Sequence, residues 1–143
     1  METELMMEEP HILVVENAPL VRHRISHALH AAGFRHVEHA ESGTRALVSI
    51  EARRPDVIII GSDLYDTSSL LFALQIRMTG ALRMVRLVMV SHRRSHEDIV
   101  AAIRCGIDNY VALPFPDDVL ADRVRETFDG RDRPPDGGPL MAA

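Results

Sequence analysis

The sequence predicts an α/β fold built on a parallel sheet, and three observations carry that expectation. Short unbroken apolar runs occupy residues 12–15, 57–60 and 87–90. Runs of that length suit strands buried on both faces, as in the interior of a parallel sheet. Segments with apolar residues at helical spacing separate them, so that a β–α unit recurs five times. Such alternation calls for helices on both faces of the sheet and right-handed crossovers.

Taken in order, residues 1–10 read as an acidic leader ending at Pro10, and residues 11–128 as the domain. The first strand, 12–15, runs into Glu16 and Asn17. Pro19 suits the first turn of a helix whose core stripe is Val21, Ile25, Ala28, Leu29 and Ala32, with Gly33 as its stop. Residues 36–40 alternate weakly and predict a short, more exposed strand. Ser42 caps a helix with Ala46, Leu47 and Ile50 inward. The strand 57–60 follows, all β-branched, entered at Pro55 and Asp56 and left at Gly61 and Ser62. Ser68 or Ser69 caps a third helix with Leu70, Leu71, Leu74 and Ile76 as its apolar positions. After Gly80 comes the strand 87–90; Ser95 with Asp98 forms a capping box for a helix carrying Ile99, Val100 and Ile103, stopped by Gly106. Residues 110–113 make the last strand before Pro114 and Pro116, and Val119, Leu120, Val124 and Phe128 mark the last helix. Residues 129–143, rich in Pro and Gly, are expected to be a disordered tail.

Composition narrows function. A chain of 143 residues with 46% apolar and 26% charged residues suits one soluble domain, and a net charge of −5 disfavours nucleic-acid binding. No apolar run approaches a membrane span, and the acidic start lacks the basic region of a signal peptide, so the expected compartment is the cytoplasm. The single cysteine, Cys105, excludes an internal disulfide and reads as a small apolar residue of the fourth helix. The turn after the first strand, Glu16 to Leu20, has no glycine, which sets aside a dinucleotide site, and there is no P-loop. No nucleophile–base pair is visible, so a conventional enzyme is not expected. His23, His27 and His30 lie on the solvent side of the first helix; zinc binding or pH sensing is conceivable there, but a polar helix face is the simpler reading.

Residues 12–17 (ILVVEN), 55–60 (PDVIII), Ile76 with Arg77, 106–110 (GIDNY) and 113–115 (LPF) together resemble a response-regulator receiver domain, of the CheY-like, flavodoxin-like kind. The resemblance spans residues 11–128 and implies a five-stranded sheet of order 2-1-3-4-5. It implies a place in the two-component phosphorelay signalling of bacteria. In such receivers two acids at the end of the first strand hold magnesium; Glu16 and Asn17 match them. An aspartate at the end of the third strand accepts the phosphoryl group; Gly61 matches it. A hydroxyl residue matches Ser91, a lysine before a proline matches Leu113 before Pro114, and a switch aromatic matches Tyr110. The Met-Pro pair and the glycine after the acceptor are replaced by Leu64-Tyr65 and Ser69.

By that correspondence the phosphorylation pocket of Glu16, Asn17, Gly61, Ser91 and Leu113 is degenerate. Magnesium needs several hard oxygens, and Glu16 alone is a weak candidate ligand, so magnesium binding is expected to be weak or absent and no cofactor is expected. Gly61 offers no nucleophile and Leu113 no cation for phosphoryl transfer. The expected function is a stand-alone pseudo-receiver that signals by protein contact with a kinase, a true receiver or an output protein, or as a homodimer, through the face formed by the fourth helix, fifth strand and fifth helix, with Tyr110 and Pro114 on or near it. Two alternatives stay open. A shifted acceptor, Asp63 or Asp66, would restore phosphorylation. Alternatively, Arg93 and Arg94, beside a helix N-terminus, would bind an anion such as a nucleotide.

Overall fold

The computed structural model describes residues 9–128. The expected leader and tail fall on residues 1–8 and 129–143, which lie outside the described residues, apart from Glu9 and Pro10. Five strands alternate with five helices: β1 (His11–Val15), α1 (Pro19–Ala31), β2 (His36–Ala40), α2 (Gly43–Ala52), β3 (Val57–Gly61), α3 (Ser69–Arg77), β4 (Arg86–Ser91), α4 (His96–Arg104), β5 (Asn109–Ala112) and α5 (Asp117–Phe128). A 3-10 turn, Gly80–Leu82, joins α3 to β4. The sheet is parallel throughout, in the order β2-β1-β3-β4-β5 that the resemblance implied.

The period-2 alternation of side chains divides each central strand between two cores. Ile58 and Ile60 of β3, Leu13 and Val15 of β1, and Leu87 and Met89 of β4 pack with α2, α3 and Ala102 of α4. Val57 and Ile59, Ile12 and Val14, and Val88 and Val90 pack with α1 and α5. Every residue of β3 is buried, which is why its sequence is unbroken apolar. β2, at an edge, is exposed except for Ala40 and Val37, as its weak alternation predicts.

Local signals explain most element ends. Ser42, Ser68 and Ser95 accept the N–H groups of Arg45, Leu71 and Asp98 at the starts of α2, α3 and α4. Of the two serines offered for α3, Ser68 is thus the cap; Ser69 is buried and donates its hydroxyl to the Gly61 carbonyl. Gly33 and Gly106 follow α1 and α4 with φ of +98° and +100°, a conformation that favours glycine. The last strand is shifted by one residue from the expected 110–113; Leu113 still donates to the Ser91 carbonyl at 2.8 Å, but Pro114 has no N–H to extend the ladder.

Two helix stripes differ from expectation. On α3 the core residues are Phe72, Ala73 and Ile76, while Leu71 and Leu74 are 63% and 38% exposed. The adjacent Leu70 and Leu71, with Leu74 beyond, made the helical phase ambiguous, and packing against β3 and β4 chose the aromatic ring. On α4 only Ala102 is fully buried; Ile99, Val100 and Ile103 are half-exposed. On α3, Arg77 reaches inward to Asp108 at 2.8 Å and to the carbonyls of Gly106 and Arg83 at 3.0 and 2.8 Å, tying α3 to the β4–β5 connection. No helix among the described residues is long and apolar enough to cross a membrane.

Candidate functional site

A parallel sheet brings the carboxyl ends of all its strands to one edge, where loops can converge. β1 delivers Glu16 and Asn17 there, β3 delivers Gly61, β4 delivers Ser91 and β5 delivers Leu113. These five residues therefore meet at one edge of the sheet.

Glu16 dominates the site. It is 6% exposed, and its Oε2 accepts the Ala18 N–H at 2.9 Å. Its other oxygen lies directly over Gly61: a Cβ on residue 61 would stand 1.7 Å from Oε1 and 2.7 Å from Cδ. No real Cβ tolerates that approach, so in this arrangement the space above residue 61 belongs to the Glu16 carboxylate. Burial pushes the Glu16 carboxyl above its ordinary value; the neighbouring Asp63 adds to the rise, while the Ala18 N–H, Arg22 and His92 oppose it. A small cavity of about 150 Å³ adjoins the carboxylate, lined among others by Asn17, Ser62, Asp63, His92 and Leu113.

Beyond the strand ends, Asp63 is exposed; it pairs with Arg93 at 3.2 Å and accepts the Ser62 hydroxyl at 3.3 Å. Asp66 turns the other way. It accepts the N–H groups of Gly43 and Thr44 at 3.0 and 2.9 Å and the Thr44 hydroxyl at 2.8 Å, so it serves the N-terminus of α2. Those backbone donors hold its carboxyl below the usual range. Ser91 is fully buried, and its hydroxyl accepts the Arg93 N–H at 2.9 Å. Tyr110, half-buried, donates its hydroxyl to the Arg93 carbonyl at 2.7 Å. Burial raises the Tyr110 phenol above its ordinary value; the Ser91 hydroxyl opposes the rise, Asp98 adds to it and Arg93 opposes it. Arg93 is therefore held three ways, by Ser91, Tyr110 and Asp63. Arg94 donates to the Leu113 carbonyl at 2.7 Å. Leu113 packs against the α1–α5 core, its bond to Pro114 is cis, and Pro114 is exposed.

The structure thus gathers Glu16, Asn17, Gly61, Ser91 and Leu113, with Asp63 and Tyr110 beside them, and takes Asp66 away. Sequence reasoning missed three placements: the Glu16 carboxylate over Gly61, Ser69 on the Gly61 carbonyl, and Asp66 at α2. None has a local signal: the Glu16 and Asp66 placements join residues from different β–α units, and the Ser69 bond depends on how the β3–α3 loop closes. The only hint was Gly61 itself, a residue without a side chain at a strand end.

A hard divalent cation needs several oxygens free to turn toward it. Here β3 supplies no carboxylate, one Glu16 oxygen is bonded to Ala18 and Asp63 is paired with Arg93. Among the described residues no group of three or more His, Cys, Asp or Glu is arranged to hold a metal ion. His23, His27 and His30 are exposed together on α1; His27 lies 4.0 Å from Asp117, and His30 is 3.5 Å from the Ser26 hydroxyl. Cys105 is half-buried against the α2–α4 core.

A family model described as a response regulator receiver domain matches residues 12–125. The KDP operon transcriptional regulatory protein KdpE of Escherichia coli is 32% identical over 114 residues, covering 80% of this chain and 49% of that protein. This chain thus spans about half the length of that relative. Among solved structures, the signal receiver domain of a signal transduction histidine kinase from Syntrophus aciditrophicus superposes with a TM-score of 0.76 at 26% identity, covering 87% of this chain and 94% of that one. A putative response regulator from Chloroflexus aurantiacus reaches a TM-score of 0.81 at 23% identity, over 85% and 99% of the two chains, a likeness of fold.

Proposed function

The chain belongs to the response regulator receiver family of two-component signalling, and on that premise we propose that it acts as a pseudo-receiver, without phosphorylation of an acceptor aspartate. One observation carries the proposal: the Glu16 carboxylate fills the space where a side chain on residue 61 would stand. An aspartate at residue 61 would force Glu16 to swing out and give up its bond to Ala18. The site has lost its nucleophile at residue 61 and its cation at residue 113, and the space of the nucleophile is refilled from β1. Magnesium does not fit the donors that remain.

The reading extends to the output. Tyr110 and Ser91 are both bonded to Arg93, so the loop leading from β4 into α4 is held without a phosphoryl group. The face built by α4, β5 and α5 carries half-exposed Ile99, Val100 and Ile103 on α4. That face is the proposed contact for a kinase, a true receiver, an output protein or a second copy. Asp63 is the remaining carboxylate at the mouth of the site, already paired with Arg93.

Incubation with acetyl phosphate and magnesium, followed by intact-mass spectrometry, tests the proposal. No added phosphoryl mass is expected while a competent receiver is labelled in parallel, and beryllofluoride with magnesium should leave amide chemical shifts unmoved. A phosphorylated species abolished by Asp63→Asn would replace the proposal with a shifted-acceptor regulator.

A further inference from the structure

A second cavity, of about 400 Å³, opens beside the strand-end site, between the β3–α3 connection and the start of α4. Its size falls within the range of small-molecule sites, and its lining combines an apolar wall with polar and charged side chains. Leu64, Leu70, Met89 and the Tyr110 ring supply apolar wall, while Asp63, Arg93 and Asp98 supply charge. The sign of that charge is decided by pairing. Arg93 is neutralised by Asp63 at 3.2 Å, and Arg94 is drawn to the Leu113 carbonyl and does not line the cavity. Asp98 has no cationic partner among the ion pairs of the described residues. One of its oxygens accepts the Ser95 hydroxyl at 2.7 Å, which leaves the other available. Its charge is felt at the Tyr110 phenol.

We propose that this cavity binds a small ligand with an apolar or aromatic body and one cationic amine, the body against Leu64, Leu70, Met89 and Tyr110 and the amine at Asp98. The preference is thus opposite in sign to the anion site that Arg93 and Arg94 suggest in the sequence. The wall includes Tyr110 and Ser91, the two residues that hold the β4–α4 loop at Arg93, so occupancy bears directly on the α4–β5–α5 face. As an input that replaces phosphorylation, the ligand rests on the pseudo-receiver reading. Binding itself does not, because Asp98 and the apolar wall are independent of residue 61.

The test is a chemical-shift titration of the full chain with 2-phenylethylammonium, and with phenylacetate as a body of similar size and opposite charge. Saturable shifts are expected at residues 62–70, 91–98 and 110 with the amine. Binding of phenylacetate should be about tenfold weaker or worse, as befits loss of one charge-assisted hydrogen bond. Asp98→Asn keeps an oxygen for Ser95, so α4 stays capped, and should weaken the amine about tenfold while leaving phenylacetate unchanged. Leu64→Trp should fill the space and abolish binding of the amine. The proposal is overturned if the amine gives no saturable shift, if phenylacetate binds as well as the amine, or if Asp98→Asn binds the amine like the wild type. The acetyl phosphate experiment is read separately, so incorporation of phosphate would overturn the pseudo-receiver reading and leave a positive titration standing.

Discussion

Glu16 and Gly61 behave as one unit, because the oxygen of one occupies the volume a side chain on the other would need. Gly61→Ala should therefore destabilise by roughly 1–3 kcal/mol, as overpacking of a buried site does. Removing the obstacle with Glu16→Ala should relieve that strain, and a double-mutant cycle in urea should show coupling of at least about 0.5 kcal/mol; additive effects would mean the two residues do not compete. Protonation of Glu16 matters as well. Its carboxyl is raised above an ordinary value of 4.5, so the folded state holds a proton that the unfolded chain has released over the window above 4.5. Stability from this group is present at low pH and lost as pH rises through the folded value. Glu16→Gln, which keeps an acceptor for the Ala18 N–H, should thus melt higher than wild type at pH 7, and the gap should narrow as the pH approaches 4.5. A gap that is independent of pH would show that the carboxylate carries no burial penalty.

Among the elements, α3 separates spacing from packing most sharply. Phe72 is 1% exposed and Leu71 is 63% exposed, though they are neighbours in sequence. Phe72→Ala should cost about 3–5 kcal/mol and Leu71→Ala under about 0.5 kcal/mol, measured by denaturant midpoints. Equal losses would overturn the placement of the helix. α4 shows the converse, an apolar stripe left half-exposed over the edge strand β5. Its N-terminal loop is held at Arg93 by Tyr110 and Ser91. Tyr110→Phe removes the hydroxyl bond to the Arg93 carbonyl and should speed amide exchange across residues 92–95, while strands β1 and β3 keep their protection.

Across the whole molecule, the two cores are joined by the sheet, and the α2–α4 side is tied together by Arg77. Its guanidinium is lowered to about 10 by burial, yet it remains charged at neutral pH and bonds Asp108 and the backbone of two loops. Arg77→Met should cost about 3–5 kcal/mol, because Asp108 and several carbonyls would lose a buried partner. The expected signature is a lower midpoint with an unchanged denaturant slope, since the surface exposed on unfolding is the same.

The sequence by itself determined the β–α alternation, the two-sided burial of the central strands, the serine caps of α2 and α4, the glycine stops at Gly33 and Gly106, and the absence of a side chain on residue 61. Each is a signal carried within one short stretch, in apolar period, hydroxyl position or a missing Cβ. Which serine caps α3, which α3 residues face the core, the placement of Glu16 over Gly61, the departure of Asp66 to α2 and the pairing of Arg93 with Asp63 were decided only by tertiary structure. The α3 cap depends on how the β3–α3 loop seats Ser69 on the Gly61 carbonyl; the others depend on contacts between residues of separate β–α units, whose distances and directions are set when the strands come into register. Local pattern therefore specified the scaffold, while the arrangement of side chains at the strand ends emerged from packing.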